Sequence, residues 1–151
     1  MTGPLRRTKR IRRVAGLVLL ASAGYAAPGM AEVPGDPPPT QARIWLYRQF
    51  SPAEPMNSAQ VMVDDKIIGN SVPGRRFHLD VAPGTHHLSV ESFGKDVNQD
   101  RNVSLAAGDE FYVKIASLRG WSSQFSYSRD TFYIWPVPPA VARAEIAQTT
   151  D

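Results

Sequence analysis

The stretch Arg76-Phe77-His78-Leu79-Asp80-Val81-Ala82-Pro83-Gly84-Thr85-His86-His87-Leu88-Ser89-Val90-Glu91 alternates apolar and polar residues on both sides of a Pro83-Gly84 break. Successive side chains of an extended strand point to opposite sides, so Phe77, Leu79 and Val81 share one face, as do Leu88 and Val90 after the break. Read as a hairpin, the two apolar sets face the same side only if paired residue numbers sum to an odd value, and a loop centred on Pro83-Gly84 supplies that parity. Val81 then stands opposite His86, Asp80 opposite His87, His78 opposite Ser89 and Arg76 opposite Glu91. The outer face of this expected hairpin collects Arg76, His78, Asp80, His87, Ser89 and Glu91.

Similar patterns flank it. Ala42-Arg43-Ile44-Trp45-Leu46-Tyr47-Arg48 sets Ile44 and Leu46 on one face and Trp45 and Tyr47 on the other, which predicts a strand covered on both sides. Gln60 to Val63 and Ile67-Ile68-Gly69, joined by Asp64-Asp65-Lys66, read as a hairpin with Val61, Val63 and Ile68 inward. Its turn needs residues that tolerate positive φ, a role Asp fills less well than Gly. Val103 and Leu105 match Phe111, Val113 and Ile115 across Ala106-Ala107-Gly108-Asp109-Glu110, which predicts a third hairpin with Gly108 in the left-handed region. From Trp121 to Trp135 the chain is rich in aromatic residues, enough for one or two more strands. Pro136, Pro138 and Pro139 stop the last of these, and Ala140 to Gln148 reads as a short helix with proline in its first turn. About seven or eight strands at regular spacing, separated by Gly, Pro and Asp turns, predict an all-β fold, a small antiparallel β-sandwich.

The ends of the chain carry different information. Arg6, Arg7, Lys9, Arg10, Arg12 and Arg13 precede an apolar run from Val14 to Ala23, and no acidic residue appears before Glu32. A basic segment, a short apolar segment and the small residues Gly29 and Ala31 together read as a signal peptide over residues 1–31, with cleavage after Ala31. Residues 32–41 are a proline-rich linker, 42–137 the sandwich domain and 138–151 a short helix or flexible tail. The whole chain has a net charge of +3, but the leader holds six of its seventeen Lys and Arg and none of its fourteen acids. Cleavage leaves eleven basic residues against fourteen acidic ones, a net charge of −3. The basic balance is thus an export signal, and nucleic acid is not expected as a partner. The expected location is periplasmic or secreted, with a membrane involved only through an uncleaved leader. Zero cysteines exclude a disulfide framework, thiolate metal sites and a thiol nucleophile.

Taken in order, Ala42 to Arg48, Val63-Asp64-Asp65-Lys66-Ile67-Ile68-Gly69, Asp80-Val81-Ala82-Pro83-Gly84-Thr85-His86, Leu105-Ala106-Ala107-Gly108 and Phe111-Tyr112-Val113-Lys114-Ile115 resemble the bacterial family called domain of unknown function 2846. The turn Pro83-Gly84-Thr85-His86 is also similar to that of PEGA-type envelope domains. The resemblance covers roughly residues 42–117. It implies a small β-sandwich exported to the cell envelope, and it brings no established catalytic residues. Many members carry a lipid-modified cysteine that this chain lacks, and the usual glycine of the first hairpin is Asp65.

Three groups of side chains are candidates for chemistry. In the expected hairpin His78, Asp80 and His87 lie close enough to converge on one zinc or copper ion, against the plainer reading of a solvated sheet face. Exposed aromatic residues among Trp121, Tyr133 and Trp135 would anchor a protein or glycan partner, against the plainer reading of core filling, which Phe125 and Tyr127 also fit. The serines between Trp121 and Ser128 lack a nucleophile elbow and a neighbouring histidine, so no catalytic residue, no cofactor and no enzyme activity is expected. The sequence supports a non-enzymatic envelope accessory that binds an envelope protein or glycan, with a metal- or small-ligand-binding domain built on His78, Asp80 and His87 as the alternative.

Overall fold

A computed structural model describes residues 35–92, 96–121 and 128–151, and the side chains of all these except 119–121 and 128–129. The expected leader, and with it the cleavage site, lies outside the described residues, as do Phe125, Tyr127 and the side chain of Trp121. Among the described residues eight strands run in order: β1 (Ala42–Tyr47), β2 (Gln60–Val63), β3 (Lys66–Asn70), β4 (Arg76–Val81), β5 (Gly84–Val90), β6 (Asp100–Leu105), β7 (Glu110–Trp121) and β8 (Ser128–Pro136). A helix, α1 (Pro139–Ile146), follows, with Pro139 in its first turn as the sequence predicts.

The strands form two four-stranded sheets, ordered β4-β1-β7-β8 and β3-β2-β5-β6. Ile44, Leu46, Val113, Ile115, Phe132 and Ile134 of the first sheet share one core with Val61, Val63, Leu88, Val90, Val103 and Leu105 of the second. That shared core makes the fold a β-sandwich, as expected. β1 is buried along its whole length, also as expected, since its second face is covered too. β2 and β3 form the predicted hairpin, and both Asp64 (φ 51°) and Asp65 (φ 62°) occupy the left-handed region that a tight two-residue hairpin turn requires.

Two expected hairpins are absent, and the reason is physical. β4 pairs with β1, while β5 pairs with β2 and β6, so residues 82–83 carry the chain from one sheet to the other. β6 likewise pairs with β5, and β7 with β1 and β8, so the Gly108 turn (φ 84°) is also a crossing between sheets. A hairpin turns both apolar sets toward the same side of one sheet. A crossing makes them face each other across the core, and the alternation along the chain is the same in both cases. Chain reversal plus alternation therefore fits either arrangement. The crossings also make β1 and β7 run parallel, the one departure from an antiparallel sandwich among the described strand pairs.

The free edges of the first sheet are blunted, as edge strands need to be. On β8, the Ile134 N–H donates to the Asn98 carbonyl at 2.6 Å and the Phe132 N–H to Ser92 Oγ at 2.9 Å. On β4, the Arg76 N–H donates to the Thr150 carbonyl at 2.7 Å, so the segment after α1 lies along that edge.

At the end of β1 a cation is buried deliberately. The Arg48 guanidinium donates to the carbonyls of Pro55 and Asn57 and to Ser117 Oγ, and lies 5.4 Å from the Phe132 ring centre. Burial pushes the Arg48 pKa down and Glu54, at 3.7 Å, pulls it back up. These bonds fasten the loop between β1 and β2 onto the sandwich.

Candidate functional site

The outer face of the β4-β1-β7-β8 sheet gathers most of the partnered charge and aromatic surface described. Alternation sends Ile44 and Leu46 inward, so Arg43, Trp45 and Tyr47 point outward, and register lines them up with their neighbours. Asp80, Arg43 and Glu110 form one cross-strand row, and His78, Trp45 and Tyr112 the next. Arg76, Tyr47, Lys114 and Trp135 form a third, with Ala116 beside Tyr133 beyond it.

α1 covers the middle of this face. Ala142 and Ile146 pack against Trp45, Tyr47 and Tyr112, which would otherwise stand in water. Polar contacts ring that apolar patch. Tyr47 Oη donates to Glu145 at 2.6 Å, and Lys114 Nζ reaches Glu145 at 3.2 Å. Glu110 accepts from Trp45 Nε1 at 3.0 Å, Tyr112 Oη at 2.7 Å and Arg143 at 2.8 Å. Burial pushes the Glu110 carboxyl up, but these three donors and the Arg143 charge outweigh it and hold it below its ordinary range. Burial, reinforced by Glu145, raises the Tyr47 phenol. A cavity of about 410 Å³ opens beside Trp45, Glu110, Tyr112 and Arg143. The four side chains are already bound to one another, so their first task is to seat the helix.

The expected metal cluster is not assembled, because the hairpin that would have built it does not exist. Asp80 is gripped by Arg43 through both carboxylate oxygens, at 2.6 and 2.9 Å, and the guanidinium holds its carboxyl below the usual range. His78, two residues away on β4, packs on Trp45 with ring centres 4.9 Å apart. His87 stands on β5 in the other sheet, beside Asn102 and 3.8 Å from Asp100. Since Leu79 and Leu88 both point into the core, His78 and Asp80 face out of one sheet and His87 out of the other. No group of three metal-ligating side chains occurs among the described residues. The expected contacts of Arg76 with Glu91 and of Asp80 with His87 fall with the same hairpin.

The aromatic candidates divide. Trp135 is 57% exposed on β8, and Leu118, on the same outward face of β7, is 61% exposed. Tyr133 is half-buried between them, its hydroxyl donating to Asp96 at 2.9 Å. The half of the face that α1 leaves open is thus apolar and aromatic. Arg43, Glu110 and Tyr112 were not among the site residues expected from the sequence. Their available signal was that a strand buried on both faces must bury its outward polar residues with partners.

A family model described as "Protein of unknown function (DUF2846)" matches residues 38–126, from the turn before β1 to beyond the end of β7. An uncharacterized protein of Haemophilus influenzae (strain ATCC 51907 / DSM 11121 / KW20 / Rd) is 28% identical over 109 residues. That alignment covers 67% of this chain and 62% of the relative, so the chain spans less than two thirds of that protein's length. With more than half of its residues matched, the chain belongs to the family of proteins of unknown function DUF2846.

Proposed function

We propose that this protein is an exported, non-enzymatic β-sandwich accessory of the bacterial cell envelope that binds a protein or glycan partner through the open half of the β7–β8 face. The observation that carries this reading is that Trp135 and Leu118, both mostly in solvent, stand on one outward face with Tyr133 between them. An indole held on a rigid strand offers large contact area at small entropic cost, and such residues dominate binding energy where they occur at interfaces. The leader read in residues 1–31 supports the periplasmic or secreted location.

A photo-reactive amino acid placed at Leu118, with Asn102 on the opposite outer face as the control, tests the reading in cells. A defined adduct from position 118, absent from position 102 and lost in Trp135→Ala, is the expected result. Digestion with proteases or glycosidases then separates a protein partner from a glycan. Equal labelling at both positions, or no adduct at either, overturns it. The mass of the mature chain tests export: cleavage after Ala31 leaves Glu32 as the first residue.

A further inference from the structure

Arg43 and Arg76 lie on the same outer sheet face and differ in one respect. Arg43 presents its Nε and Nη2 hydrogens as a fork and closes it on both oxygens of Asp80. Arg76 presents the same fork to Asp151, but only Nε is engaged, at 2.8 Å from Oδ1. Its Nη1 donates to the Ile146 carbonyl at 3.0 Å, and its Nη2 is buried with no acceptor among the described residues. A buried guanidinium nitrogen without a partner is costly, whereas a two-oxygen grip on that edge is the strongest arrangement arginine makes.

The surroundings point to what would complete it. Arg76 is 3% exposed, while the Asp151 side chain over it is 64% exposed. A cavity of about 300 Å³ opens beside Arg76, Phe77, His78 and Asp151. His78 follows Arg76 by two residues on β4 and so stands on the same face, its ring steadied by Trp45. Neither of its ring nitrogens has a hydrogen-bond partner among the described residues. One edge of a fixed guanidinium and one imidazole thus border the same opening, and the chain's own carboxylate fills that opening only in part.

We propose that Arg76 and His78 form a binding site for a small oxyanion, the carboxylate or phosphate group of a solute, with Asp151 as its displaceable in-chain occupant. The incoming group takes both Nε and Nη2 of Arg76 and accepts a third hydrogen bond from His78. This site is separate from the β7–β8 face and stands or falls independently of it.

Titration of the protein with phosphate and, separately, acetate, followed by NMR of the Arg76 Nε–H and the His78 ring, tests the proposal. Saturable shifts of both groups are expected, and the tighter of the two ions identifies the oxyanion class. Asp151→Asn removes the competitor and tightens binding severalfold. His78→Phe keeps the packing on Trp45 and weakens binding by about tenfold, the usual effect of losing one hydrogen bond to a charged group. Absence of saturable shifts in both the wild type and Asp151→Asn overturns the site, as does undiminished affinity in His78→Phe. Arg76 itself is a poor first variant because its removal strips support from the segment after α1.

Discussion

His86 Nδ1 lies 2.7 Å from Asp64 Oδ2, and the opposite ring nitrogen lies 2.8 Å from the Ala82 carbonyl oxygen. Both neighbours are acceptors, and only a doubly protonated imidazole donates to both. The second carboxylate oxygen of Asp64 takes the His87 N–H at 2.9 Å. One ion pair therefore ties the β2–β3 turn to β5 and to the crossing between the sheets.

The pH dependence follows from the sign of each shift. Asp64, then Ala82, raise the His86 pKa above its ordinary value, so its contribution to stability is complete below about pH 6.5 and is lost as pH rises through the folded-state pKa. His86, then the His87 N–H, lower the Asp64 pKa, so its contribution is present above about pH 4 and is lost as pH falls through the folded-state value. Urea midpoints measured from about pH 4 to pH 9 should show a fall on the alkaline side, and His86→Asn should flatten that limb. An alkaline limb of equal slope in the variant would assign it to another group.

What the sequence made legible was local. The Asp64-Asp65 turn, the Gly108 turn and the Pro139 helix start each depend on a few adjacent residues whose backbone demands are fixed by their own chemistry. Which sheet each strand joins is not local. Val81 faces the core whether β4 folds back onto β5 or crosses away from it, so the alternation that located the strands was silent about their partners. The metal cluster inherited that silence: His78 and His87 share a site only if the crossing at residues 82–83 is a hairpin. Trp135 was legible as a candidate contact residue, but its exposure, like that of Leu118, depends on how far α1 reaches across the sheet, which no pattern in the strands encodes.

The β2–β3 turn carries two non-glycine residues at positive φ. Asp64 has a compensating role as the partner of His86 and His87, whereas the Asp65 side chain makes no hydrogen bond among the described residues. Asp65→Gly should stabilise the domain by about 1 kcal/mol by relieving the left-handed strain. Thermal or urea unfolding checks this, and Asp64→Gly should by contrast destabilise, because it strips two acceptors from the clamp.

Arg48 is costly to remove. Arg48→Ala leaves the Pro55 and Asn57 carbonyls and Ser117 Oγ without their donor, and leaves a void beside Phe132. A loss of about 3 kcal/mol or more is expected, on the scale of breaking a buried hydrogen-bonded charge. The loop between β1 and β2 should then become the first site of proteolytic cleavage. Unchanged cleavage there would mean that the loop holds itself.

The seating of α1 tests which of its two kinds of contact matters. Arg143 bonds to Glu110 and Tyr112, but its side chain is 65% in solvent, where water and salt screen such pairs and leave them little weight in stability. Ile146 is 3% exposed between the helix and the Trp45, Tyr47 and Tyr112 rings, and cutting it back to alanine opens a cavity that costs about 2–4 kcal/mol. Ile146→Ala should therefore loosen α1 and raise amide exchange from residue 140 onward, while Arg143→Ala should leave exchange there nearly unchanged. The reverse order would make the charged ring around the helix, rather than its apolar underside, the source of its attachment. Because the Arg76–Asp151 contact lies just beyond Ile146, the same measurement shows whether loosening the helix also frees Asp151.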